Sequence, residues 1–152
     1  MKIEIPKKEQ LKEINNIAQQ VHEMHVKWRP DIFVSVDEVI ENERFEKLIE
    51  NKEIYVIKED EKTIGYATIS IKEKTIHGMH YRKILDIDAI CIDQNYRGKG
   101  AGTSLLNYII DFGKRENCTD LYLTVNEENI EAIKLYEKLG MKVKNIAYSM
   151  KI

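Results

Sequence analysis

The sequence predicts a mixed α/β fold: one mixed sheet with helices laid against it. Two observations predict it. Apolar residues at helical spacing alternate along the chain with short β-branched runs, the order expected of a sheet covered by helices. In addition, the strand-like run L-D-I-D-A-I-C-I, Leu85 to Ile92, crosses a glycine-rich turn and enters a helix. With 152 residues, 43% of them hydrophobic, the chain has the length and the apolar content for one domain, 1–152, with its own core.

Taken in order, Lys2 to Ile5 reads as a short strand ended by Pro6. A helix follows from about Lys7 to Lys27, because Leu11, Ile14, Ile17, Ala18, Val21 and Met24 recur on one face. Pro30 bars it from continuing. A second helix is expected over about Val36 to Glu50, apolar at Val39, Ile40, Phe45, Leu48 and Ile49. Its Asp37, Glu38, Glu41 and Glu43 form either a solvated face or an acidic wall that attracts a cationic substrate. Glu53–Glu59 and Ile64 to about Glu73 read as a hairpin turned by D-E-K-T. His77 and His80 fall in the loop that follows, or at the strand's end.

The next strand runs from about Lys83 to Ile92, and the helix after the glycine turn reaches Arg115. Leu105, Leu106, Ile109, Ile110 and Phe112 give that helix one broad apolar face. Leu121 to Val125 is a further strand. Ile130 to Leu139 is a helix closed by Gly140. Lys142–Lys144 and Ala147–Lys151 are expected as final short strands.

Charge narrows the function. Lys plus Arg is 24 and Asp plus Glu is 26, a formal net charge of -2, which argues against a general nucleic-acid binder. The amino terminus is too polar for a signal peptide and no run approaches a membrane span, so the expected location is cytoplasmic. Cys91 and Cys118 then read as buried reduced thiols. His22 and His25 lie three apart, but no cysteine or carboxylate ligand is specified beside them, and no metal site is read.

The turn itself carries chemistry. Gly98, Gly100 and Gly102 are interleaved with Arg97 and Lys99, and Thr103 opens the helix. A helix start leaves N–H groups without partners and favours negative charge, and glycines remove the side chains that would keep an anion away. The spacing is neither that of the dinucleotide fingerprint nor that of the ATPase phosphate loop. The residues alone therefore read as an anion cradle at a helix start, or as a basic surface turn.

Two stretches together resemble the GCN5-related N-acetyltransferase (GNAT) superfamily. One is Arg97-Gly98-Lys99-Gly100-Ala101-Gly102, similar to that family's Arg/Gln-x-x-Gly-x-Gly/Ala loop. The other is N-I-E-A-I-K-L-Y-E-K-L-G-M, Asn129 to Met141, with Met141 where the family commonly has Phe. The resemblance implies a central mixed, mostly antiparallel twisted sheet of about six to seven strands flanked by about four helices and splayed at the cofactor site. It implies acetyl-CoA as cosubstrate and direct transfer of the acetyl group to a primary amine of a small molecule, peptide or protein. The alternative is a non-catalytic acyl-CoA sensor on the same fold.

By the same resemblance, Arg97, Gly98, Lys99, Gly100, Ala101, Gly102 and Thr103 would cradle the pyrophosphate of CoA. Ile90, Cys91 and Ile92 would pair with its pantetheine arm through their backbone, and Asn129 would lie beside it. Tyr136 would give a proton to the departing thiolate, since a phenol stays protonated at pH 7. Asp88 is the candidate base or water-positioner. Asp86, two residues earlier, would share its face and bind a cationic acceptor or brace a loop. The acceptor pocket would draw on His22, His25, Trp28, Asp31, Phe33, His80 and Tyr81. Aromatics with scattered acids suit a polyamine, an aminoglycoside or a peptide amino terminus. The resemblance also makes a homodimer an expected assembly, while charge and hydropathy make neither nucleic acid nor membrane an expected partner.

Overall fold

A computed structural model describes residues 1–152. The chain runs β1 (Lys2–Glu4), α1 (Leu11–Trp28), α2 (Asn42–Glu50), β2 (Ile54–Glu59), β3 (Lys62–Lys74) and β4 (Arg82–Ile92). It continues with α3 (Ala101–Arg115), β5 (Asp120–Leu123) and α4 (Ile130–Lys138). The strands form one sheet in the order β1-β2-β3-β4-β5. Every pair is antiparallel except β4 with β5. That parallel pair is the crossover made by α3, as parallel neighbours require.

The sheet separates two apolar layers. On one face Ile14, Ile17 and Ala18 of α1 and Phe45 and Leu48 of α2 pack on Ile54, Val56, Tyr66 and Cys91. On the other, Ala101, Leu105, Leu106 and Ile109 of α3 pack on Ile57, Ala67, Ile69, Leu85 and Ile87. Tyr136 and Leu139 bring α4 against this second layer. Alternate residues of β3 and β4 thus serve opposite faces, as the strand period dictates.

The mixed α/β class agrees with the sequence, but the sheet holds five strands where about six to seven are expected. Residues 142–144 and 147–151 form no strand: nothing pairs with them, and Val143, Ile146, Tyr148 and Met150 are exposed. A strand needs a paired neighbour for its backbone groups, and these residues pair with none. The second helix also starts later than its periodicity predicts, at Asn42. The cause is Asn15 of α1. Its side-chain amide donates to the Ile40 carbonyl at 2.9 Å and its oxygen accepts from the Ile40 N–H at 2.8 Å. Gln19 likewise donates to the Val36 carbonyl at 2.9 Å. With these groups taken by side chains, residues 36–41 need no helical ladder.

Gly65 of β3 sits where strand and core meet. A methyl group there would lie 2.5 Å from the Ile92 side chain and 2.8 Å from the Cys91 carbonyl oxygen. The carbonyl belongs to the paired backbone of β4 and has little freedom to move. Gly65→Ala is therefore expected to destabilise the fold by about 1–3 kcal/mol, the range for overpacking a tight interior. A urea unfolding curve checks this, and an unshifted midpoint would show that β3 and β4 can part at this position.

Candidate active site at the end of β4

β4 pairs with β5 only over Ile84 to Ile87, opposite Asp120 to Leu123. From Asp88 to Ile92 it pairs with β3 alone, so its β5-facing edge is free. The register with β3 also jumps here: Thr68 faces Ala89 while Ile69 faces Ile87, which leaves Asp88 as an extra, bulged residue. Bulges re-aim side chains and end pairing. Asp88 is exposed as a result.

The free edge leads into the glycine turn. The short 3-10 turn Gln94–Tyr96 is fixed by Asp93, whose carboxylate accepts from the Asn95 N–H at 2.9 Å. It is also fixed by Gln20 of α1, whose side-chain oxygen accepts from the Gln94 N–H at 2.9 Å. Gly98 and Gly100 then take positive φ values of 71° and 87°. A side chain added at either would meet nothing within 4 Å and would project into open space at the helix start. The N–H groups of Gly98, Lys99 and Gly100 donate to no other backbone group, and those in the first turn of α3 have no intrahelical acceptor. Gly102 has a different role. It lets Leu135 of α4 approach, since a methyl there would lie 3.2 Å from that side chain.

The basic side chains of the turn are folded back. Arg97 Nε donates to the Ile92 carbonyl at 3.0 Å, and Lys99 Nζ donates to the Asn95 carbonyl at 2.9 Å. The cradle thus presents backbone amides, with the two cations behind it. Ala101 is buried beneath the turn and Thr103 is half-buried in the first turn of α3. The group that fits is an anion with several oxygens, because consecutive outward N–H groups at a helix start match it. These residues fit the pyrophosphate of CoA, with Ile90, Cys91 and Ile92 along the free edge.

α4 closes the other side of this opening. Asn129 caps it, accepting from the Ala132 N–H at 3.3 Å. Tyr136 packs on the α3-side layer, and no hydrogen bond acts on its phenol. Burial, then the nearby Cys91, pushes it up to about 12. Cys91 is itself 5% exposed, and burial raises its thiol to about 11, so it is an inert neighbour rather than a thiolate. Cys118 is also a free thiol, only partly buried.

Asp86 and Asp88 face α1. Asp86 pairs with Lys72 Nζ at 2.9 Å, and both acids raise the lysine's pKa, Asp86 foremost through its hydrogen bond. Sequence reasoning missed Lys72, since only the β3–β4 register brings it to Asp86. His25 stacks on Phe33 with centroids 5.1 Å apart and meets Trp28 edge-on at 5.6 Å. Burial and then His22 lower the His25 pKa. His22 contacts the Val34 carbonyl through Nε2 at 2.7 Å. Asp31 is held by Arg29 at 2.8 Å. These residues form one cluster at the end of α1. His80 and Tyr81 are not part of it. They lie at the β3–β4 hairpin, at the far end of β4 from the glycine turn, where the Tyr81 hydroxyl donates to Glu73 at 2.5 Å. No three His, Cys, Asp or Glu side chains converge as a metal-binding group. No helix is long and apolar enough to cross a membrane.

The chain is similar to known proteins. Residues 18–141 match the family described as acetyltransferase (GNAT) family. The chain belongs to that family. Among curated proteins it is 34% identical over 71 residues to an uncharacterized N-acetyltransferase of Methanocaldococcus jannaschii, covering 47% of this chain and 31% of that one. It is 37% identical over 57 residues to the spermine/spermidine N(1)-acetyltransferase of Bacillus subtilis, covering 37% and 38%. The match thus spans only 31% and 38% of the length of these relatives. Among solved structures, a mutant of the BH1408 protein of Bacillus halodurans superposes with a TM-score of 0.95 at 28% identity, covering 100% of this chain and 99% of that one. An aminoglycoside N-acetyltransferase in complex with CoA superposes at 0.71 with 16% identity over 99% of each chain, a likeness of fold.

Gly100→Val is expected to weaken CoA binding at least tenfold, because the side chain enters the cradle and the residue leaves a conformation that glycine adopts freely. Titration calorimetry with CoA checks this, with circular dichroism as the folding control. Wild-type affinity in a folded variant would remove the cradle assignment.

Proposed function

We propose that this protein is an acetyl-CoA-dependent N-acetyltransferase that transfers the acetyl group directly to a primary amine. The observation that carries the proposal is the alignment, along one free strand edge, of a backbone anion cradle, an exposed carboxylate at a bulge and a partly buried phenol without a hydrogen-bond partner. When bound, acetyl-CoA supplies an activated thioester.

The chain's own residues supply the rest. The turn from Arg97 to Thr103 holds the phosphates, and the backbone of Ile90 to Ile92 orients the arm that leads to the thioester. Asp88 takes the proton from the acceptor ammonium, directly or through water, since only the neutral amine can attack. A backbone N–H near Ile92 stabilises the developing oxyanion. Tyr136 holds a proton at its hydroxyl for the departing sulfur. With its pKa raised above 10, that proton is retained throughout the neutral and mildly alkaline range. No covalent enzyme intermediate is needed when both substrates sit together, because proximity supplies much of the effect. The aromatic cluster of His25, Trp28 and Phe33 forms one wall of the acceptor site.

We also propose a homodimer. The apolar side chains Ile146, Tyr148 and Met150 are exposed and alternate in sequence, and β5 stands at one edge of the sheet. An alternating segment and an open edge complement each other across two copies.

Tyr136→Phe is expected to lower kcat by about 100-fold, the lower end of what a general acid contributes, while acetyl-CoA affinity stays within about twofold. Thiol release at saturating substrates, with the product checked by mass for one added acetyl group, measures it. Equal turnover would remove the role. For the assembly, light scattering should report a dimer for the full chain and a monomer after removal of residues 145–152. A full-length monomer at micromolar concentration would overturn the dimer.

A further inference from the structure

The α1-side face of β4 and β5 continues beyond Asp88 into a group of charges with no assigned role. Leu121 and Leu123 pack into the α3-side layer, so Tyr122 between them faces the other way, beside Asp86. Arg82 lies on that same face, since Leu85 and Ile87 point to the α3 side. Its Nη1 donates to the Tyr122 hydroxyl, and its guanidinium carbon lies 5.8 Å from the ring centroid. Lys144, from the segment after α4, places Nζ 4.1 Å from the same centroid.

Neither cation has an acidic partner. The ion pairs of the chain include Lys72 with Asp86 but neither Arg82 nor Lys144. Asp86, the carboxylate beside Tyr122, is already engaged by Lys72. Two like charges therefore converge on one partly buried aromatic ring, Arg82 itself partly buried and Lys144 exposed, with no carboxylate paired to either. Ring contacts of this kind attract cations weakly and leave their charge uncompensated. The fork of an arginine fixed at one end by a hydroxyl retains donors suited to a carboxylate.

The position gives this group a meaning. Tyr122 of β5 stands opposite Asp86, which is two residues along β4 from Asp88, about 7 Å at the rise of a strand, and Arg82 reaches the Tyr122 hydroxyl from the hairpin end of β4. We propose that the acceptor carries a carboxylate several ångströms from its amine, and that Arg82 and Lys144 bind this carboxylate while the amine lies at Asp88. The inference rests on the acyl-transfer reading above and deepens it by naming the acceptor class, an amino acid or peptide with an acidic group, as opposed to a polyamine. Lys72 contributes to the choice, since a second cation on the acceptor would meet a net positive surface there.

Three acceptors of one carbon chain length test it: 5-aminopentanoate, its amide, and 1,5-diaminopentane. With saturating acetyl-CoA, kcat/KM for the carboxylate should exceed that of the amide and of the diamine by about tenfold or more, the worth of one charge-assisted hydrogen bond. Arg82→Gln should lower the carboxylate-to-amide ratio about tenfold, mostly through KM, and Arg82→Lys should restore part of it. Circular dichroism reports folding of each variant. A diamine that matches or outperforms the carboxylate overturns the proposal, as does a ratio untouched by Arg82→Gln. Transfer to none of the three by a protein that binds acetyl-CoA in calorimetry overturns it and leaves the cofactor reading standing. Failure to bind acetyl-CoA overturns both.

Discussion

The partial divorce of β4 from β5 is the constraint on which the rest of the site depends. The two strands share a ladder from Ile84 to Ile87 and no further. Had pairing continued, the edge from Asp88 to Ile92 would be closed. The bulge at Asp88 reinforces the separation, because an extra residue bends the strand and increases its local twist. A ladder hydrogen bond is worth little net when water can replace it, so an open edge is tolerable wherever a ligand or solvent satisfies the backbone.

Around that opening the two faces of the sheet divide the labour. The α3 side is apolar up to the phenol of Tyr136, and this low-polarity setting keeps its proton in place. The α1 side holds the charges: Asp88, the Asp86–Lys72 pair, and Arg82 with Lys144 on Tyr122. A cosubstrate entering from one side and an acceptor from the other would meet at the end of β4. This arrangement follows from strand alternation on either side of the bulge at Asp88.

The rigid parts and the adaptable parts are also distinct. The turn is pinned at Gln94 by Gln20 and at Asn95 by Asp93, and the folded-back Arg97 ties it to the Ile92 carbonyl. These bonds preorganise the amides before any anion arrives, which lowers the ordering cost of binding. The end of α1 has fewer such ties. Its aromatic cluster stands on a helix end, and residues after Met141 cross it with few contacts, among them Arg29 Nη2 to Ser149 Oγ at 3.5 Å.

Features that depend on neighbours in the chain are legible in the residue order. The helical periods of α1, α3 and α4, the turn with Gly98 and Gly100, and the tyrosine of L-Y-E-K-L-G could all be read directly, because caps, turns and amphipathic faces are local. The tertiary structure decided what depends on partners far away. Asn15 delays α2 by taking the backbone of Ile40, and the absence of a partner leaves the last residues unpaired. A register jump exposes Asp88, and only strand pairing brings Lys72 to Asp86 and Arg82 to Tyr122. The same pairing carries His80 and Tyr81 away from His25, although residue type alone suggests one pocket. The physical reason is that alternation fixes which face a side chain takes, while register and bulges, set by long-range packing, fix what it meets there.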